Sequence, residues 1–208
     1  MSTICVLGDS IVWGAADSEG GGWVTRLFIE LGKNSEIDVY NLGVSGDKTP
    51  NILERFESET KARIEEAEDV ILIFAIGIND SYFIQSKNSF NIPPAEFREN
   101  IKKIIEGARA IAPKITFIGL TPVDESRTTP IPWDTDKSYK NENIKKYNEI
   151  IKSVCRDNSV HFIEIFNEWI KSDYQSLLED GLHPNSEGHK KIFETVRDFL
   201  SKNKIIKI

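Results

Sequence analysis

The stretch "TICVLGDSIVWGAA", Thr3–Ala16, is where the reading of the fold begins. Ile4, Cys5, Val6 and Leu7 form an unbroken apolar run, the pattern of a strand covered on both faces in a parallel sheet. The run stops on Gly8-Asp9-Ser10, and Gly14 follows soon after. A turn into a helix accounts for such an ending. So does a serine presented at the lip of the sheet, and the rest of the chain must decide.

Four further runs share this character: "DVYNLG" (38–43), "DVILIFAIG" (69–77), "KITFIGL" (114–120) and "VHFIEI" (160–165). They are short and rich in Val, Ile and Phe, as buried strands are. Helical periods lie between them. "GWVTRLFIELGK" (22–33) repeats Trp23, Leu27 and Leu31, and "NILERFESETKARIEEAE" (51–68) is amphipathic and highly charged. "PAEFRENIKKIIEGARAIA" (94–112) opens on a proline suited to a first helical turn and aligns Phe97, Ile101, Ile104, Ile105 and Ala108. "NENIKKYNEIIKSVCRDN" (141–158) gathers Ile144, Tyr147, Ile151 and Val154. The last helix, "NSEGHKKIFETVRDFLSK" (185–202), takes Asn185 or Ser186 as its cap and turns Ile192, Val196, Phe199 and Leu200 inward. A short helix is expected over Glu168–Leu178. Strands alternating with helices mean an α/β chain: one open parallel sheet, helices on both faces, right-handed crossovers. No repeat or linker divides the 208 residues, so one domain over 1–208 is expected.

Bulk composition sets limits. Hydrophobic residues are 39% and charged residues 28%, a globular balance. A formal net charge of −7 argues against a nucleic-acid partner, which calls for a basic face. No apolar run approaches the roughly 18–20 residues of a membrane span, so no stable membrane insertion is expected. Met1 leads straight into the first strand without a leader pattern, and a cytoplasmic location is expected. The acidic surface suits a monomer or a small homo-oligomer. Cys5 and Cys155 read as buried free thiols, with no C-x-x-C or zinc-type spacing.

In such sheets ligands bind beyond the carboxyl ends of the strands. Gly8-Asp9-Ser10 stands at the first strand end, "NLGVSGDKT" at the second and "AIGINDS" at the third. "EDGLHPNSEGH" brings Asp180, His183 and His189 to the loop before the last helix, which can fold over the same edge. These residue types make an acyl-transfer site. A serine hydroxyl needs a base to take its proton, and histidine is the usual base near neutral pH. A carboxylate fixes the imidazole tautomer, and preorganised N–H donors hold the tetrahedral oxyanion. Ser10, His183 and Asp180 fit the first three roles. The N–H groups of Ser10 and Gly43 and the amide of Asn79 fit the last. Asp180-x-x-His183 with Pro184 next lets one tight turn aim acid and base together. The residues around Ser10 are not the G-x-S-x-G elbow.

In its ordered blocks, Gly8-Asp9-Ser10, Gly43 in "NLGVSGDKT", Gly77-x-Asn79-Asp80 and Asp180-x-x-His183-Pro184, the sequence resembles the SGNH or GDSL superfamily of serine esterases and lipases. The blocks span Gly8 to His183. The resemblance implies a flavodoxin-like three-layer α/β/α fold, the SGNH hydrolase fold, with strand order 2-1-3-4-5. It also implies Ser10 as nucleophile, Gly43 and Asn79 as oxyanion donors, and Asp180 with His183 completing the triad. Ile78 departs from the small or threonine-like residue more usual in the third block, and is a candidate for shaping the acyl pocket.

Asp9 reads as structural, tying down nearby backbone donors. Asp80 reads as a cap for the segment that follows it. His189 and His161 read as a helix-face and a strand residue. A metal site from Asp180, His183 and His189 lacks a further ligand. Trp13, three residues beyond Ser10, lines a pocket or packs its helix. The segment "TPVDESRTTPIPWDTDKSYKNE" (121–142) is long and polar, and it follows the fourth strand at the site edge. It is expected to form part of the substrate pocket with Trp133 as a wall. The expected activity is hydrolysis of a small-molecule ester with no metal or organic cofactor. The rivals are an acyltransferase or thioesterase using the same triad, and a non-catalytic flavodoxin-like ligand-binding protein. The loops carry no long Gly-rich cradle for a nucleotide or flavin.

Overall fold

The computed structural model describes residues 2–34, 36–64 and 69–206. Eight strands occur in it: β1 Ser2–Gly8, β2 Ile37–Gly43, β3 Asp69–Ala75, β4 Phe83–Ile84, β5 Ser89–Phe90, β6 Lys114–Ile118, β7 Lys137–Ser138 and β8 His161–Ile163. The helices are α1 Ser10–Trp13, α2 Trp23–Leu31, α3 Thr49–Lys61, α4 Pro94–Arg109, α5 Glu125–Thr128, α6 Asn141–Asp157, α7 Phe166–Trp169 and α8 Ser186–Lys202.

The apolar run that opens the chain becomes an interior strand, second in the sheet. β1 pairs in parallel with both β2 and β3, and Gly8 stands level with Gly43 and Ala75. β3 pairs with β6 and β6 with β8, also in parallel. The large sheet therefore runs β2-β1-β3-β6-β8. Counted among themselves, its strands stand in the order 2-1-3-4-5 that the resemblance implies. α2 and α8 pack together on one face, and α3, α4 and α6 on the other, giving the three-layer α/β/α arrangement. Burial on both sides explains the unbroken apolar runs: Ile4–Leu7 and Ile71–Phe74 have no exposed surface. Phe74 stacks on Phe117 at 5.1 Å and meets Phe56 edge-on at 5.9 Å, filling the space beneath α3.

The helical stripes fold as their periods predict. Phe97, Ile101, Ile104, Ile105 and Ala108 are buried, as are Ile144, Tyr147, Ile151 and Val154. Asn185 is the cap of α8, its side chain accepting from the Gly188 N–H at 3.0 Å. α3 starts two residues ahead of the expected 51–68 helix and is assigned to Lys61; residues 65–68 of that expectation lie outside the described residues. The helix expected over Glu168–Leu178 is a correction. α7 ends at Trp169, and a separate 3-10 turn covers Tyr174–Leu177. The break follows from Ser172, whose N–H and hydroxyl both donate to the Trp169 carbonyl and close the helix.

A second, three-stranded antiparallel sheet, β5-β4-β7, was absent from the expectations. It joins the loop after β3 to the segment after β6, and Gln85 N–H and Ser86 N–H tie it further to Asp136. Among the described residues no helix is long and apolar enough to cross a membrane. Cys5 and Cys155 are free and buried, and burial pushes their thiols up to about 11 and about 12.

Candidate active site

β1 ends between β2 and β3, so the residue after its turn stands at the carboxyl edge of the sheet with strand ends on both sides. Gly8 is required there by close approach: a Cβ on it would lie 2.2 Å from the Ala75 carbonyl oxygen. Asp9 caps α1, its Oδ1 accepting from the Ile11 N–H at 3.0 Å. Ser10 is then the first residue of α1 and 7% exposed.

Ser10 Oγ lies 3.0 Å from His183 Nε2, and His183 Nδ1 lies 2.7 Å from Asp180 Oδ2. Asp180 Oδ1 accepts from the backbone N–H of His183 at 2.7 Å and of Leu182 at 2.9 Å. One carboxylate thus shapes the turn and orients the ring, which is what the two-residue spacing allows. Gly181 supplies the left-handed backbone the turn requires, at φ 91°. Burial pushes the Asp180 carboxyl up, but the imidazole N–H and the two backbone donors outweigh it and hold the group at about 2. The carboxylate is therefore ionised at neutral pH. It draws the ring proton to Nδ1, and Nε2 is left to accept from the Ser10 hydroxyl.

Asn79 is 8% exposed at the turn after β3. Its Nδ2 donates to the Asp47 carbonyl at 3.1 Å, and its Oδ1 accepts from the Tyr139 hydroxyl at 2.9 Å. Among the described residues its other amide hydrogen has no acceptor. Gly43 requires a correction: its N–H is already taken, donating to Asn41 Oδ1 at 3.0 Å. Its lack of a side chain serves packing, since a Cβ would stand 2.2 Å from the Trp13 nitrogen where α1 crosses β2. Gly46, three residues on, suits a donor better. It has φ 83° and open space around it, and among the described residues its N–H finds no acceptor.

Ser10, Gly46, Asn79 and His183 line one open cleft of about 330 Å³. The far wall comes from the 121–142 segment, through Ile131, Trp133, Lys137 and Tyr139. Trp133, 57% exposed, stands on that wall. Two other expected pocket residues do not. Ile78 is 2% exposed and faces a small interior void of about 30 Å³ instead of the cleft. Trp13 is 58% exposed and lies outside the cleft lining.

The neighbouring polar residues have structural partners. His189 is buried; its Nδ1 accepts from the Trp23 N–H at 3.3 Å and its Nε2 donates to the Ala15 carbonyl at 2.9 Å. Burial lowers its basicity, consistent with a neutral ring. Exposed His161 meets the Phe199 ring edge-on. Asp80 caps α3 and not the segment that follows it: it accepts from the Thr49 N–H at 3.1 Å and from the Thr49 hydroxyl at 2.5 Å. Among the described residues no group of three or more His, Cys, Asp or Glu is placed to hold a metal ion.

Sequence reasoning missed Gly46, Lys137, Tyr82 and Tyr139 on the cleft. Gly46 stands in the quoted "NLGVSGDKT" and was within reach. The two tyrosines carried no motif.

Comparison with known proteins places the chain in a family. The sequence model of the GDSL-like Lipase/Acylhydrolase family matches residues 6–191. Esterase TesA of Pseudomonas aeruginosa is 22% identical over 195 residues, spanning 93% of this chain and 85% of that protein. The isoamyl acetate-hydrolyzing esterase 1 homolog of Rattus norvegicus is 26% identical over 216 residues, spanning 96% and 81%. The crystal structure of a lipase/acylhydrolase from Enterococcus faecalis shares the fold at a TM-score of 0.76 and 24% identity, over 98% of this chain and 97% of that one.

Proposed function

Because the chain belongs to the GDSL-like lipase/acylhydrolase family, whose members hydrolyse esters, we propose that it cleaves small carboxylic esters through an acyl-enzyme on Ser10. The observation that carries this reading is the unbroken line Ser10 Oγ, His183, Asp180 at 3.0 and 2.7 Å, facing the cleft. Ser10 Oγ attacks the ester carbonyl as its proton passes to His183 Nε2. Asp180 stabilises the imidazolium that forms. The oxyanion is held by the N–H groups of Ser10 and Gly46 and the free amide hydrogen of Asn79. His183 then hands its proton to the leaving alcohol. A water deprotonated by the same Nε2 attacks the acyl carbonyl and releases the acid and Ser10.

The rat relative named for isoamyl acetate points to short acyl groups. The test is hydrolysis of p-nitrophenyl esters from acetate to palmitate by wild type and Ser10→Ala, with fluorophosphonate labelling of both. Turnover falling off with chain length, label on Ser10 alone, and an inactive Ser10→Ala that melts like wild type are expected. Turnover surviving in Ser10→Ala would overturn the nucleophile. An optimum at palmitate would overturn the short-acyl assignment.

A further inference from the structure

We propose that Tyr139 is a positioning residue for catalysis: its hydroxyl fixes the side-chain amide of Asn79 in the one orientation that aims an N–H at the oxyanion. The inference rests on the reading above and extends it to a residue from the substrate-lining segment.

The argument starts from which atom can face which. The Asp47 carbonyl oxygen can only accept, so the Asn79 atom opposite it at 3.1 Å is Nδ2. The amide oxygen then faces Tyr139, and the phenol must be the donor across 2.9 Å. Burial pushes the Tyr139 phenol well above its ordinary value, so it keeps this proton at any working pH. Asn79 is also held from behind, its own carbonyl accepting from Asn91 Nδ2 at 2.8 Å. With Oδ1 and one amide hydrogen committed, the second hydrogen has a single direction left. A carbonyl that accepts a hydrogen bond also polarises its amide, and the N–H becomes a stronger donor.

Tyr139 is built to hold that position. It is 4% exposed, and its ring meets Tyr82 edge-on at 5.4 Å. Its N–H donates to the Thr128 carbonyl at 2.9 Å, and its carbonyl accepts from the Thr128 and Thr129 hydroxyls at 3.1 and 2.8 Å. It directly follows β7, which pairs with β4 just beyond Asn79. The small sheet thus stitches together the two loops whose side chains meet.

The experiment is a double-mutant cycle of Tyr139→Phe and Asn79→Ala on p-nitrophenyl acetate, with active sites counted by fluorophosphonate titration. Tyr139→Phe keeps the ring and removes only the donor. It should lower kcat by about tenfold with KM within about twofold, the pattern of an interaction made in the transition state. In the Asn79→Ala background, itself slowed on the order of a hundred- to a thousandfold, the same change should cost under about twofold. Wild-type kcat in Tyr139→Phe, or an equal loss in both backgrounds, would overturn the proposal; a merely structural role gives the second result. Ser10→Ala separates the claims. If it is inactive while Tyr139→Phe turns over normally, only the role of Tyr139 falls. If Ser10→Ala stays active, the nucleophile falls, and the oxyanion geometry built on it falls too.

Discussion

A buried carboxyl beside Ser10 sets a pH dependence of stability. Asp9 is 2% exposed, and burial pushes it up to about 7 against the pull of the Ile11 N–H. In the unfolded chain an aspartate titrates near 3.9. Between about 4 and 7 the folded state therefore binds the extra proton, and stability falls as pH rises through that window. Asp80, pushed up to about 6 by its burial, acts with the same sign. Asp180 has the opposite sign: its contribution is complete above about 3.9 and is lost only as pH falls through about 2. Asp9→Asn keeps an acceptor for Ile11 and removes the titration. Its melting temperature should change less between pH 4 and 7 than that of wild type; parallel curves would clear Asp9 of the effect. That Asp9 ties down backbone was readable from its place after a glycine at a strand end. Its degree of burial was not, because that depends on α8 and the loops that close over it.

At the level of elements, the crossing of α1 over β2 is a tight backbone contact near the site. Gly43→Ala would drive a Cβ to 2.2 Å from the Trp13 nitrogen, and backbone cannot swing away as a side chain does. The substitution should cost about 3 kcal/mol, which is a melting temperature lower by roughly 6–12 °C in a chain of this size. A drop of under about 2 °C would mean that α1 slides freely on the sheet. The long elements were legible in advance because each repeats its period often enough to show a face: all five stripe residues of α4 are buried. That the Gly43 N–H is already taken was not legible. It depends on Asn41 bending back to occupy one N–H, a matter of turn geometry that composition does not reveal. β4, β5 and β7 are two residues each, too short to display an alternation at all.

Across the whole molecule, the site was legible because one rule of open parallel sheets sends every strand end to the same edge. Residues far apart in sequence were expected to meet there, and Ser10, Asn79 and His183 do line one cleft. Ile78 and Trp13 lie off the cleft lining, because the rule places backbone and not the direction of a side chain. The 121–142 segment closes the cleft as its position after β6 suggested, with Trp133 on the wall. Trp133→Ala should shift the chain-length preference over the acetate-to-palmitate series while sparing turnover of the acetate; an unchanged preference would separate Trp133 from the substrate. Ser10 and His183 stand 173 positions apart. Synthesis therefore delivers Ser10 well before His183. On the proposed mechanism, a chain cut short anywhere between them would hold Ser10 without its base and would not turn over ester.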